Sequence, residues 1–362
     1  MHVVRGALKD YDWGVVDGLA RWHGEPTGRP QAELWFGTHP SGPATVARGI
    51  DAGRPLSDFP EHDGMPMVKL LAASTPLSIQ VHPDRARARR GWQDQQTSDA
   101  EPGLYADDAE KSEMLCAIAA FDAHAGWRDA RSAADVLTRS GAPEAVVSAV
   151  LRGDPATAAR LLLEMSPEEC APVERRLVAS ATAAGWTEDA VSALARVAAT
   201  HPADPGVLVT VLLDHVLLAP GEALAMPAGV VHSYVYGLGV EVMTSSDNVL
   251  RLGLTPKRIA LEEAIDAIRP DRVPAVLGGY AGDWLRPPGM PFALAMAEQT
   301  LPLDAGQHRI VLALQGEVEV AAGPDVAVLA EGEAAILAPG EPAASAEPQG
   351  MAIAVLGDQP PG

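Results

Sequence analysis

The chain has 362 residues, 47% of them hydrophobic, which is enough to bury a substantial core and to divide into two or three domains. Its formal net charge of -21 excludes general nucleic-acid affinity, which draws on clustered Lys and Arg, and reads as a source of solubility. Cys116 and Cys170 stand alone, excluding a disulfide framework and a thiolate zinc site; any metal must use His, carboxylate or amide ligands.

The opening, Met1 to Tyr11, carries Arg5, Lys9 and Asp10 where a secretory leader would need an apolar core. No run of about 18 apolar residues follows, so a cytoplasmic chain without a membrane span is expected. From Ala44 to about Gly126, short apolar runs broken by Pro, Gly and Asp predict strands separated by turns. Within them Ser78, Gln80 and His82 alternate with Ile79 and Val81, which in a strand puts the three polar side chains on one face.

Between Asp129 and His201 the texture becomes helical. Asp154-Pro155 can open one helix, Ser166-Pro167-Glu168-Glu169 fits a capping box, and Thr187-Glu188-Asp189 begins another. This stretch reads as an insertion that closes at the turn-prone "HPADPG". "VLVTVLLDHVLLAPG" then returns to strand-like character, although its periodicity also allows a helix. From about Phe292, short Val, Leu and Ala runs predict a compact antiparallel β domain. An internal repeat links the two β regions: Gly221-Glu222-Ala223 with Met226-Pro227-Ala228-Gly229 aligns without gaps on Gly332-Glu333-Ala334 with Leu337-Ala338-Pro339-Gly340. Two related β-barrel units are expected.

From Gly221 the sequence spells G-x5-P-x-G-x2-H, ending on His232, and resembles the second conserved motif of the cupins, jelly-roll β-barrels. Pro227 and Gly229 turn the chain tightly so that the His points into the barrel mouth, and Gln80-Val81-His82 has the spacing of the first motif. In the repeat, Ala343 stands where His232 stands in the first unit, so the second barrel is expected to be metal-free.

Three longer segments are similar to the type I phosphomannose isomerases: "MPAGVVHSYVYGLGVEVMTSSDNVLRLGLTPK" from Met226 to Lys257, "PLSIQVHPD" from Pro76 to Asp84, and the opening "YDWG" and "AELWFGTHP". The resemblance implies a mainly β protein with an α insertion: two cupin-type jelly-roll barrels plus an inserted helical domain. The metal-binding unit would comprise residues 1–128 and 206–290, the insertion 129–205, and the metal-free unit 291–362. It makes a helix followed by a strand plausible after "HPADPG".

The resemblance further implies one zinc ion bound by Gln80, His82, Glu113 and His232. Around Glu113 the family pattern resembles Y-x-D-x-N-H-K-P-E; Tyr105, Asp107, Lys111 and Glu113 agree, while Ala109, Glu110 and Ser112 depart. Any role of the family's His, here Glu110, is put in doubt. The implied reaction interconverts mannose 6-phosphate and fructose 6-phosphate by proton transfer through an enediol, with zinc acting as a Lewis acid or orienting the sugar.

Arg251, Lys111 and Glu241 are the expected catalytic residues. Glu241 is the first candidate base, with Lys111 and a metal-bound hydroxide as rivals. Ser78, Lys69, Asp247 and Lys257 are expected around the substrate, although an ion pair between Arg251 and Asp247 is a competing use of both. A monomer with a sugar-phosphate substrate is expected. An iron dioxygenase with two His and a carboxylate is the nearest competing chemistry, which the fourth ligand Gln80 argues against. A non-catalytic sugar-binding cupin would leave Lys111, Arg251 and Glu241 without a task.

Overall fold

The computed structural model describes residues 1–97, 103–278 and 282–357. Its strands pair antiparallel into one sheet of eleven strands, one of six, one of four and one of two, with most of the helix between Ala130 and Val209. The pattern is mainly β with a helical insertion. The expected closed barrels take another form. Among the described residues no sheet pairs back on itself, and the strands Ala7–Lys9 and Ala275–Gly278 end the main path of the large sheet. Packing of side chains between facing sheets, rather than a ring of hydrogen bonds, encloses the interior.

The axis of the large sheet is the twelve-residue strand His232–Met243. Its first half pairs with Phe121–Trp127 and, through His232, with Ile79–Val81. Its second half lies between Met67–Ala73 and Glu113–Ala117. The register slips opposite Tyr234 and Tyr236, and Gly237 then adopts φ 143°, where an added Cβ would lie 2.6 Å from the Phe121 ring.

This irregularity reverses which residues face outward. Val231 and Val235 pack with the helices, whereas further along Val240 and Val242 enter the core against Ile310, Leu312, Ile336 and Ile353 of the six-stranded sheet. The opposite side chains, His232 and Tyr234 in the first half and Glu241 and Met243 in the second, therefore share one interior face. In a regular strand, His232 and Glu241, nine positions apart, would point to opposite faces.

The helices start where capping residues stand. Asp129 accepts from the N–H groups of Arg131 and Ser132, Asp154 from Thr157, Thr187 from Ala190, and Ser166 with Glu169 forms the capping box. The ambiguous run becomes the helix Pro205–Val209, a 3-10 turn and the strand Leu213–Leu218. Leu162, Leu177, Leu194 and Leu208 from the helices bury Ile79, Val81, Leu250 and Leu252 from behind. The insertion thus backs the strands whose other face carries Gln80 and Arg251. No helix among the described residues is long and apolar enough to cross a membrane.

The internal repeat is also structural: Glu222–Met226 and Glu333–Leu337 are both five-residue strands, entered from Gly221 and Gly332 at φ 88° and 80°. Two strands from the first 128 residues lie in the six-stranded sheet with the C-terminal strands: Thr45–Val46, which pairs with the first strand, and the first strand itself, His2–Arg5, which pairs with Glu333–Leu337. Its two valines bury opposite ways, Val4 toward the large sheet and Val3 into the C-terminal core, which a strand inside a sandwich requires.

Gly237→Ala is expected to lower unfolding free energy by about 1–3 kcal/mol, the cost of holding a side chain in a sparsely allowed backbone region. Urea unfolding measures it, and an unchanged midpoint would show that the face reversal does not depend on this glycine.

Candidate metal centre

Gln80 lies in register with His232 on one side and with Arg251 on the other, so these three side chains line one row on the same face. Glu113 enters from the neighbouring part of the sheet, paired with Met226 and Met243. His82 follows two residues after Gln80. His82, Glu113 and His232 are each buried, at 2%, 1% and 1% exposure, which removes solvent as a partner for their polar atoms.

The hydrogen bonds decide which atoms are free. His82 Nδ1 donates to the Asn248 carbonyl at 2.7 Å, and His232 Nδ1 donates to the Val230 carbonyl at 2.9 Å. Both Nε2 atoms are left as lone-pair acceptors, 3.0 and 3.2 Å from Glu113 Oε2. Three acceptors thus face one another with no proton to share, and both His82 Nε2 and Glu113 Oε2 lack a hydrogen-bond partner. A metal cation would satisfy such a set. The separations match the roughly 3.3 Å that two ligands span across a tetrahedral zinc with bonds near 2.0–2.1 Å.

The Gln80 amide nitrogen lies 3.2 Å from His232 Nε2. Turning the amide over presents its oxygen at the same point, so Gln80 can complete a fourth position.

Electrostatics agree with this use. Burial depresses the His82 pKa to about 4, outweighing the attraction of Glu113, so its imidazole is neutral and ligand-competent at neutral pH. Burial works to raise the Glu113 pKa, but neighbouring positive charge outweighs it, and with His82 neutral it is Lys111 that holds the carboxyl well below its ordinary range. Lys111 Nζ grips the second oxygen, Oε1, at 2.9 Å.

A second polar group occupies the same interior face. Lys69 Nζ lies 2.8 Å from Glu241 Oε2 and 3.7 Å from Glu33 Oε1, while the Tyr234 hydroxyl donates to Glu241 Oε1 at 2.9 Å. Burial raises the Glu241 pKa, with Lys69 opposing. Lys69, expected beside the substrate, is a buried counter-ion to two carboxylates.

Arg251 is half-buried and makes no ion pair or hydrogen bond among the described residues, and burial depresses its pKa. The alternative pairing with Asp247 does not form: Asp247 binds His39 Nε2 at 2.8 Å. Ser78 is half-buried and Lys257 exposed, and neither side chain has a hydrogen-bond partner among the described residues.

The degraded loop before Glu113 is held by a residue the sequence reading did not single out. Asn248, 1% exposed, donates from Nδ2 to the carbonyls of Asp107 and Ala109 at 3.0 and 2.7 Å and accepts from the Ala106 N–H at 2.9 Å. Its own carbonyl orients His82. Glu110, in place of the family's His, turns toward Arg85 at 3.6 Å, away from the ligand set. Tyr234 and Glu33 were also missed. Tyr234 sits two residues after His232, the spacing of a shared strand face; Glu33 carried no local signal.

Comparison with known proteins follows the same line. Residues 1–130 match the family model "Phosphomannose isomerase type I, catalytic domain". The mannose-6-phosphate isomerase of Schizosaccharomyces pombe is 33% identical over 309 residues, covering 74% of this chain and 73% of that one. That of Escherichia coli K12 is 29% identical over 303 residues, 76% of each chain. Among solved structures, the Salmonella typhimurium mannose 6-phosphate isomerase bound to fructose 6-phosphate and zinc superposes with a TM-score of 0.84 at 25% identity, covering 99% of both chains. A zinc-bound mannose 6-phosphate isomerase gives 0.83 at 25% identity, covering 99% of this chain and 100% of that one.

Fold and site together define a mainly antiparallel β protein with a helical insertion and a buried cluster of His82, Glu113 and His232 that could hold a metal ion, beside a guanidinium with no partner among the described residues. Within that class, the chain belongs to the type I phosphomannose isomerases.

Burial also lowers His62 to about 4 and His124 to about 3 from the ordinary 6.5. Unfolded chains therefore bind protons that these imidazoles refuse, so stability present above pH 6.5 is lost as pH falls toward the folded values. Chelator-treated protein is expected to lose unfolding free energy steadily between about pH 6.5 and 4.5; a flat profile in a urea series across that range would contradict it.

Proposed function

We propose that this chain interconverts mannose 6-phosphate and fructose 6-phosphate through an enediol, using one zinc ion held by Gln80, His82, Glu113 and His232. The observation carrying this reading is the convergence of three proton-free buried acceptors beside a guanidinium that has no partner among the described residues. A bound zinc would supply Lewis acidity toward the sugar oxygens.

The chain's own groups divide the remaining work. Arg251, in register with Gln80, places positive charge on the ligand face, where it can stabilise oxyanion character on the enediol or hold the phosphate. Its lack of a counter-ion among the described residues supports a substrate anion as partner. Glu241 is the favoured proton acceptor, because burial raises its affinity for a proton and it is not engaged by the metal-ligand set. Lys69 and Tyr234 position it, one at each oxygen.

Lys111 keeps Glu113 ionised and aimed at the metal position. As the rival base it is disfavoured by that ion pair, which a proton-free amine would lose. Ser78 and Lys257 remain as phosphate contacts, each with a side chain uncommitted among the described residues. Asp247 bridges to His39 and would border the sugar.

The unit boundaries follow the same reading. Residues 1–128 and 206–290 form the metal-binding jelly-roll unit, 129–205 the insertion and 291–362 the metal-free one, with the strands His2–Arg5 and Thr45–Val46 exchanged into the six-stranded sheet.

A coupled assay on mannose 6-phosphate is expected to show turnover that a chelator abolishes and added zinc restores. His232→Ala should lose zinc retention and turnover together, with metal counted by mass spectrometry. Full activity in that variant would remove His232 from the ligand set.

Arg251→Ala and Glu241→Gln should retain zinc yet lower kcat, the first by about 10²–10³ and the second by about 10²–10⁴. Unchanged kcat in either would return that residue to a structural role.

A further inference from the structure

Among the described residues, a second set of ligand-type side chains lies at the seam where the first strand joins the six-stranded sheet. His2 opens that strand, in register with Ile336, while Glu61 and His62 sit in the 3-10 turn Pro60–His62. One ligand atom from each of His2, Glu61 and His62 lies within 4.8 Å of the others. His2 Nδ1 and His62 Nε2 are 2.9 Å apart, close to the ~3.3 Å that two nitrogens span across tetrahedral zinc.

His62 is fully buried, at 0% exposure, yet it has none of the partners that hold a structural histidine in place. Such a ring bonds a carbonyl or carboxylate; among the described residues this one hydrogen-bonds only to another imidazole, and its Nδ1 has no partner there. Burial keeps His62 and His2 on the neutral side, with lone pairs available. Glu61 adds an exposed carboxylate, and Glu341, itself paired with the Met1 ammonium at 2.5 Å, offsets that ammonium's repulsion of positive charge at His2. A third imidazole, His308, stands at the edge, its ring centroid 6.4 Å from that of His62 and its Nε2 3.1 Å from the Glu61 carbonyl.

We propose that His2, Glu61 and His62 hold a second divalent transition-metal ion, of the borderline class, typified by zinc, that suits two imidazoles and a carboxylate. None of the three belongs to the catalytic set, and the ion clips the first strand to the turn that precedes the strand Met67–Ala73. Its role is structural, and the two sites fill independently.

The test is zinc stoichiometry. Chelator-stripped protein is titrated with zinc, freed of excess by gel filtration and counted by mass spectrometry. Wild type should retain two equivalents, and His232→Ala and His2→Gln one each; the double variant should retain none. His2→Gln should keep wild-type turnover, and Glu61→Gln should weaken the second equivalent at least tenfold. His2 and Glu61 are chosen because neither is fully buried, and circular dichroism checks that each variant folds. Two equivalents in His2→Gln would overturn the assignment. So would a single equivalent in wild type that His232→Ala removes, an outcome that leaves the catalytic centre standing.

Discussion

A polypeptide strand presents alternate side chains to opposite faces, and the strand His232–Met243 breaks that alternation once, at the register slip and left-handed Gly237. Before the break its outward residues meet helices; after it they meet the second sheet. The inward residues stay inward throughout. Gln80, Glu113 and Lys69 are placed against this strand by pairing in register with His232, Met243 and Glu241, and Arg251 is tied to it through Gln80. The helical insertion and the C-terminal sheet can both be read as backing for its two halves.

The interior face is costly, because it buries charge. Lys69 meets Glu241 and Glu33, and Lys111 meets Glu113, so each buried amine has a carboxylate within salt-bridge distance. Removing one member of such a pair typically costs about 3–5 kcal/mol, since the other is left uncompensated. Against this balance two features stand out: the acceptors His82 Nε2 and Glu113 Oε2, which have no hydrogen-bond partner among the described residues, and Arg251, which has no counter-ion among them. Metal and sugar phosphate are the species that would complete them.

The loop bearing Glu113 shows how a site survives drift in its local pattern. Ala109, Glu110 and Ser112 differ from the family pattern, yet the loop is tied from across the sheet. Asn248 takes Asp107 and Ala109, Thr244 takes Glu110 and Ser112, and the Ser112 hydroxyl accepts from the Ala228 N–H. These contacts reach mostly backbone atoms, so they tolerate changes in side chain.

Much of this could be read along the chain. Capping residues at Asp154, Ser166 and Thr187 announced helices because a cap acts on N–H groups two or three positions away. Gln80, His82 and His232 were legible because motif spacing and strand alternation are local, and the repeat at Gly332 was legible because duplication preserves order. What needed the folded chain were relations between distant segments. The tie from Asn248 to His82, the two ion pairs of Lys69, the exchange of the first strand and the shared face of His232 and Glu241 all depend on partners brought together by folding. A reversal of faces at one glycine leaves no trace in periodicity, and a counter-ion 172 positions away in sequence has no local signature.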